Sequence, residues 1–276
     1  MSVKTTAGQC AKVRRDGVTL IYRTYGTPGG EPFVLVHGLG ADHSMWSPQL
    51  ARYPEEGYFL VVPDVRGHGD SEHVPTFEVE ACADDIAAVL NDLNVDAAAV
   101  AGVSMGSLVA QVFASEYPER VTRLVLCDTF SNVHGLRAQI ASAAATAMLS
   151  VVPARFQIRL IESYYDGPEN EHVRKYFRTQ LLETDRTQLV QARKAINSFD
   201  GRTNLGGIRA PTLVLVGDEN PEWFVRLAEE TAQRITNARF ERVPCGSDPS
   251  NLTAPEAFDR TVLGFLEDGG GRERRH

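Results

Sequence analysis

The stretch Gly-Val-Ser-Met-Gly at residues 102–106 decides the fold. It follows a short apolar run at residues 97–101 and precedes an apolar-periodic segment at residues 105–116, so it predicts a tight turn from a buried strand into a helix. Small residues at both ends let the strand and the helix approach closely, and the turn forces the hydroxyl of Ser104 outward. In this context the pattern is typical of a nucleophile elbow.

Strand and helix signals alternate along the rest of the chain. Asp16-Gly17 predicts a hairpin turn between two strands, at residues 13–15 and 18–23. Further strands are predicted at residues 33–36, 59–62, 97–101, 123–126, 212–216 and 239–243, and helices at 79–93, 105–116, 221–235 and 255–266. This alternation predicts an α/β protein with a mainly parallel sheet that helices cover on both faces.

One segment departs from this alternation. Between about residues 131 and 202 only helical patterns occur, at 136–149, 153–165, 173–182 and 187–198. We therefore predict a core domain formed by residues 1–130 and 203–276. Residues 131–202 are expected to form a helical cap over the C-terminal edge of the sheet.

The composition excludes several classes of function. The 276 residues contain 28 Lys and Arg against 36 Asp and Glu, a net charge of −8, and 43% hydrophobic residues. This balance favours a folded protein and disfavours nucleic-acid binding, which needs clustered basic residues. No apolar stretch has the length of a membrane span, and the first nine residues are polar. We expect a cytoplasmic protein with a small-molecule substrate, and the oligomeric state stays open.

The sequence His-Gly-Leu-Gly at residues 37–40 follows a predicted strand. Flexible glycines there let the backbone N–H of Leu39 point into a site beside Ser104. The N–H of Met105, at the start of its helix, does the same, and the two form a predicted oxyanion hole. No metal-ligand cluster, phosphate-binding glycine motif or dinucleotide motif occurs, so we expect neither metal nor cofactor.

Five residues near these motifs are candidates for contact with the substrate. An apolar pocket under the cap would use aromatic walls and a few polar groups. The five candidates are His37, Gly38, Trp46, Phe130 and Trp223. The side chain of His37 is better suited to fix its own loop than to act as a base.

Together these motifs resemble the α/β-hydrolase superfamily over nearly the whole chain. Residues 37–46, His-Gly-Leu-Gly-Ala-Asp-His-Ser-Met-Trp, resemble the 3-oxoadipate enol-lactonase branch, as do the elbow and the segments at 117–121 and 254–258. The resemblance implies an eight-stranded sheet, a helical cap and a Ser-Asp-His triad in that chain order.

Two positions of the implied triad hold other residues. Counted from Gly217, the acid position is Asn220, and the histidine position in the turn at residues 244–249 is Ser247. Neither side chain accepts a proton near neutral pH. Losing triad members typically lowers the rate by about 10⁴–10⁶-fold, so an ordinary fast esterase or lactonase is disfavoured.

Other side chains are candidates to replace the missing groups. Asp218 precedes the acid position by two residues, Asp128 ends the preceding strand, Asp248 adjoins the histidine position, and His134 opens the cap. Each of these residues also suits an ordinary solvated or loop-capping role.

Three functions remain open. The first is a non-hydrolytic reaction, such as a cyclisation, elimination or rearrangement, on a small hydrophobic carbonyl compound held by Ser104 and the oxyanion hole. The second is an ester or lactone hydrolase with a base from a non-standard position. The third is a ligand-binding protein without turnover.

Overall fold

The computed structural model describes residues 8–133 and 136–268. Within these residues eight strands form one sheet in the order β1-β2-β4-β3-β5-β6-β7-β8. The first pairings, β1 with β2 and β2 with β4, are antiparallel and the others are parallel. The predicted α/β class with a mainly parallel sheet is therefore confirmed. The strands are β1 Gln9–Arg15, β2 Val18–Tyr25, β3 Glu31–Val36, β4 Tyr58–Pro63, β5 Ala98–Val103, β6 Val121–Cys127, β7 Thr212–Gly217 and β8 Ala238–Val243.

Helices cover both faces of this sheet. Three of them, α2 (Val79–Asp92), α3 (Met105–Glu116) and α8 (Glu222–Gln233), pack their buried side chains against one face. The short α1 (Ser47–Arg52) and α10 (Pro255–Glu267) pack against the other face. Strands β4, β5 and β7 are buried along their whole length, so neither of their faces meets water. The one-turn helix α9 (Ser250–Thr253) precedes α10.

Strand β5 extends two residues beyond its predicted end. Gly102 and Val103 continue the pairing with β6, opposite Leu126 and Cys127. Their small or β-branched side chains fit this buried position, so the turn is confined to Ser104 and α3 begins at the next residue.

Four helices lie between β6 and β7, where the cap is predicted. They are α4 (Leu136–Val151), α5 (Ala154–Tyr164), α6 (Glu171–Glu183) and α7 (Arg186–Ser198). α4 packs against α7, and α5 packs against α6. At the base of this segment, Asn132 and Asp200 form an isolated β-bridge, which brings its two ends together. The exact limits of the cap stay a prediction.

Helix α7 returns over the loops of the core. The side-chain amide of Gln188 both accepts a hydrogen bond from the backbone N–H of Val74 and donates one to its carbonyl oxygen. One residue later, Leu189 lies directly over Gly40, in the predicted oxyanion loop. The cap is thereby held above the C-terminal edge of the sheet. Among the described helices, none is long and apolar enough to span a membrane.

Candidate active site

Ser104 occupies the tight turn between β5 and α3. Its φ of 53° and ψ of −117° are rare for a residue with a side chain, and its N–H donates to the carbonyl oxygen of Cys127 at 2.9 Å. A Cβ on Gly106 would lie 2.2 Å from the carbonyl oxygen of Val36, so only glycine allows α3 this close to β3. The half-buried hydroxyl of Ser104 is consequently presented at the C-terminal edge of the sheet.

The predicted oxyanion loop lies against this serine. A Cβ on Gly38 would lie 3.5 Å from the Cβ of Ser104, and Gly40 turns the chain with a φ of 67°. Leu39 stands between these two glycines. Met105 is the first residue of α3, so its N–H has no partner within the helix and lies at the positive end of the helix dipole. This arrangement suits stabilisation of a negatively charged oxygen.

Asp248 is the ionisable group that the structure brings beside Ser104. Burial and, second, the negative charge of Asp128 raise the pKa of the Asp248 carboxyl from 3.8 to about 8. The Ser104 hydroxyl and the positive charge of Arg193 act in the opposite direction on this pKa. At neutral pH most Asp248 carboxyls therefore hold a proton next to the serine.

Both the core and the cap hold the loop that carries Asp248. Its backbone N–H donates to the side-chain oxygen of Asn220 at 3.1 Å. From the cap, the hydroxyl of Tyr165 donates to the Asp248 carbonyl oxygen at 2.5 Å. The ring of Tyr165 is buried and stacks on Phe177 with 5.6 Å between the ring centroids. The position of Asp248 thus depends on the closed contact between cap and core.

Asp128 is completely buried beneath this loop. One carboxylate oxygen accepts hydrogen bonds from the N–H of Gly217 at 3.0 Å, the amide of Asn220 at 3.1 Å and the hydroxyl of Ser250 at 2.9 Å. The other oxygen accepts from the N–H of Ser250 at 2.7 Å. Asp128 therefore joins the loops after β6, β7 and β8, and its charge acts on Asp248.

The remaining candidates for the triad positions have other surroundings. Ser247 donates its N–H to the hydroxyl oxygen of Thr253 at 3.0 Å, and that hydroxyl donates back to the Ser247 carbonyl oxygen at 2.8 Å. Asp218 is exposed, so its predicted role as a substitute acid has no inward-facing carboxyl to support it. His134 lies outside the described residues.

The described histidines form their hydrogen bonds away from Ser104. The buried His37 contacts the Gly38 carbonyl oxygen at 2.8 Å through Nδ1, and its Nε2 accepts from the N–H of Val65 at 2.9 Å. The others are His43 bonded to Asp64, His68 packed against the ring of Phe77, the exposed His73, and His172 bonded to the Leu252 carbonyl oxygen. Within residues 8–133 and 136–268, no histidine bonds to the serine.

Two of the predicted substrate contacts are fully buried, and their contact with a substrate stays a prediction. Trp46 is fully excluded from water and packs against Phe258, so it belongs to the core on the α10 side of the sheet. His37 is fully buried and both its ring nitrogens hold its own loop. Phe130 and Trp223 each pack edge-on against Phe224, and their contact with a substrate stays a prediction, as does that of Gly38.

Arg193 belongs to the site although no motif singles it out. It lies on α7, its Nε is excluded from water, and its charge acts on Asp248. The one sequence signal is its position beside the apolar residues Leu189, Ala192 and Ile196, which form the buried side of the helix. A basic residue at the border of such a face is more often a surface residue, so the pattern alone does not identify it.

The described residues contain no group of three or more His, Cys, Asp and Glu side chains placed to hold a metal ion. The groups that the structure gathers around Ser104 are its hydroxyl, two backbone N–H groups, a protonatable carboxyl and a guanidinium.

The sheet order, the elbow and the oxyanion loop define an α/β-hydrolase fold, and the chain resembles that superfamily. A family model for the alpha/beta hydrolase fold matches residues 31–151. The chain is 27% identical to 3-oxoadipate enol-lactonase 1 of Acinetobacter baylyi over 92% of its own length and 95% of that protein. It is 27% identical to a pimeloyl-[acyl-carrier protein] methyl ester esterase of Neisseria meningitidis serogroup B, over 85% of this chain and 92% of the esterase.

A solved structure, the enol-lactonase from Burkholderia xenovorans LB400, superposes with a TM-score of 0.83 at 25% identity and covers 94% of this chain and 100% of the other. The resemblance to the superfamily and to the enol-lactonases is thus confirmed. These relatives are hydrolase-type enzymes.

Proposed function

We propose that this protein is an enzyme that catalyses a non-hydrolytic proton-transfer reaction, a cyclisation, elimination or rearrangement, on a small hydrophobic carbonyl compound. The observation that carries this proposal is the carboxyl of Asp248 beside Ser104, where the resemblance to the superfamily implies an imidazole. We propose no metal, cofactor, nucleic-acid or membrane partner.

In the proposed reaction the substrate carbonyl oxygen binds to the N–H groups of Leu39 and Met105 and to the hydroxyl of Ser104. The ionised form of Asp248 removes a proton from the carbon next to the carbonyl group, and the resulting enolate oxygen is stabilised by these donors. Asp248 then returns the proton to another atom of the substrate, so the carboxylate is regenerated and no water is consumed.

The raised pKa of Asp248 supports this assignment. A carboxylate with a pKa of about 8 is a stronger base than an ordinary aspartate, and about a tenth of it is still ionised at pH 7. The same carboxylate is also within reach of the hydroxyl proton of Ser104, which is why acyl transfer is the second candidate.

A second candidate is an ester or lactone hydrolase in which ionised Asp248 activates Ser104. The closeness of the serine to the carboxyl and the hydrolase-type relatives favour it. A third, a binding protein without turnover, gains support only if both reactions fail.

Two assays on the same protein separate these candidates. Proton transfer is measured by NMR as deuterium incorporation next to the carbonyl group of small ketones in D₂O. Acyl transfer is measured by intact mass after treatment with a fluorophosphonate probe and by hydrolysis of p-nitrophenyl butyrate. The variants are Asp248→Asn, Ser104→Ala and, as the matched control, Asp218→Asn at the exposed position on the neighbouring loop.

The proposal predicts deuterium exchange that falls by about 10²–10⁴-fold in Asp248→Asn. Exchange should fall less in Ser104→Ala, because the backbone donors remain, and should be unchanged in Asp218→Asn. Rapid labelling and ester hydrolysis, both lost in Ser104→Ala, would establish the hydrolase instead. Exchange that persists in Asp248→Asn would exclude this residue as the base.

A further inference from the structure

Arg193 faces the site from the cap. On α7 the side chains of Leu189, Ala192 and Ile196 are buried against the core. Leu189 touches the oxyanion loop, since its Cδ2 lies 2.9 Å from where a Cβ of Gly40 would stand. Arg193 follows Leu189 by four residues, so it lies one helical turn further along the same side of the helix.

Arg193 is half-buried, and one nitrogen of its guanidinium lacks a partner among the described residues. Its Nε is excluded from water and meets no hydrogen-bonding group among the residues that the structure describes. Burial lowers the pKa of Arg193, and the charge of Asp248 opposes this effect. No ion pair joins the two side chains in the described part of the chain, and Asp248 is mostly protonated at neutral pH. A buried N–H donor without a partner is costly to the fold.

We infer that Arg193 binds a carboxylate group of the substrate, and that the substrate is therefore a small oxo acid that carries its carbonyl group to Ser104. This inference rests on the proposed function, because it places the anion and the reacting carbonyl group in one site. It also explains why the fold leaves a buried N–H of the Arg193 guanidinium without an acceptor on this side of α7: the acceptor arrives with the substrate.

A carboxylate fits better than a more highly charged group. A guanidinium presents parallel N–H donors that match the two oxygens of a carboxylate. A phosphate dianion would lie beside Asp248, whose ionised form repels it. It would also have only the one guanidinium of Arg193 to balance its two negative charges. One cation and one ionisable acid instead suit a monoanion.

Matched pairs of ligands test this inference. The probes are 4-oxopentanoate, 5-oxohexanoate and 6-oxoheptanoate, each with its methyl ester, and binding is measured by calorimetry at pH 7. The variants are Arg193→Gln and Arg193→Lys. Lys194→Gln is the control, since it removes a positive charge from the exposed side of the same helix.

For at least one chain length, the acid should bind to the natural protein about 10- to 100-fold more tightly than its ester. Arg193→Gln should reduce this preference to about 2-fold or less, Arg193→Lys should keep part of it, and Lys194→Gln should leave it intact. The inference is overturned if no acid is preferred to its ester, or if the preference survives in Arg193→Gln.

Two further measurements separate this inference from its alternatives. If Arg193 had a structural role, Arg193→Gln would lower the melting temperature, whereas the loss of an unpartnered buried N–H donor should leave it unchanged or raise it. If acids are preferred but no deuterium exchange occurs, the carboxylate site stands and the proposed function fails. If acids and esters exchange equally well in both the natural protein and Arg193→Gln, the function stands and the carboxylate site fails.

Discussion

Replacing Asp248 by Asn should change the pH dependence of stability, whatever the substrate is. The Asp248 carboxyl has a pKa of about 8 in the folded protein against 3.8 as its ordinary value. Between these pH values the folded protein keeps a proton that the unfolded chain releases. The free energy of unfolding therefore falls as the pH rises from about 4 to about 8, and this contribution is constant above pH 8.

The size of the effect follows from the shift. At about 1.4 kcal/mol per pH unit, the upper limit is about 6 kcal/mol. Because the side chain is only partly shielded from water, we expect about 2–3 kcal/mol. Asp248→Asn cannot ionise, so its stability relative to the natural protein should rise by this amount between pH 5 and pH 9.

The assay is urea unfolding at pH 5, 6, 7, 8 and 9, followed by tryptophan fluorescence, since Trp46 is fully buried in the folded protein. The comparison uses the change in the free energy of unfolding with pH rather than its value at one pH. This removes the constant effect of exchanging the carboxyl hydroxyl for an amide. Asp218→Asn, at an exposed position, should run parallel to the natural protein. Parallel curves for Asp248→Asn as well would refute the burial and charge argument for this carboxyl.

Three other changes give checkable results. Gly106→Ala should lower the free energy of unfolding by about 3 kcal/mol or more, measured in urea, because its Cβ would lie 2.2 Å from the Val36 carbonyl oxygen. Asp128→Asn should lower the free energy of unfolding by about 2–4 kcal/mol, because buried donors lose their acceptor. It should also move the pH midpoint of deuterium exchange downward, because the charge that raises the Asp248 pKa is gone. Tyr165→Phe should cost about 1 kcal/mol and slow exchange several-fold at saturating substrate, because its hydroxyl holds the Asp248 loop.

Most of the fold was predictable because its signals are local. Short apolar runs between helical patterns are enough to indicate a buried parallel sheet, and the glycines at residues 102–106 indicate the turn after β5. The boundaries were less predictable. β1 begins at Gln9, four residues before its predicted start, because its exposed and half-buried side chains alternate without a strong apolar signal. β5 ends later than predicted because glycine is usually a strand breaker, whereas here Gly102 makes room for α3.

The site was predictable only in part. Ser104, Leu39 and Met105 follow from local sequence motifs, and Asp248 follows from its place beside the vacant histidine position. Arg193 depends on how α7 is turned over the core, which only packing determines. The complete burial of Trp46 has a similar origin. An aromatic residue after a glycine-rich loop fits a substrate pocket and a core equally well, and here Phe258 on α10 decides between them.

The groups around Ser104 share one property: they are suited to a negatively charged ligand. Two backbone N–H groups, the serine hydroxyl and, at neutral pH, the protonated carboxyl of Asp248 are hydrogen-bond donors, and Arg193 adds a positive charge. A neutral ester gains little binding free energy from these groups before the serine attacks it. No imidazole among the described residues removes the serine proton for that attack. An oxo acid gains binding free energy through its carboxylate as soon as it binds. It is stabilised further when loss of a proton places negative charge on its carbonyl oxygen. The proposed function requires that the site stabilise an enolate more than its parent ketone, which is the condition for catalysis of proton transfer.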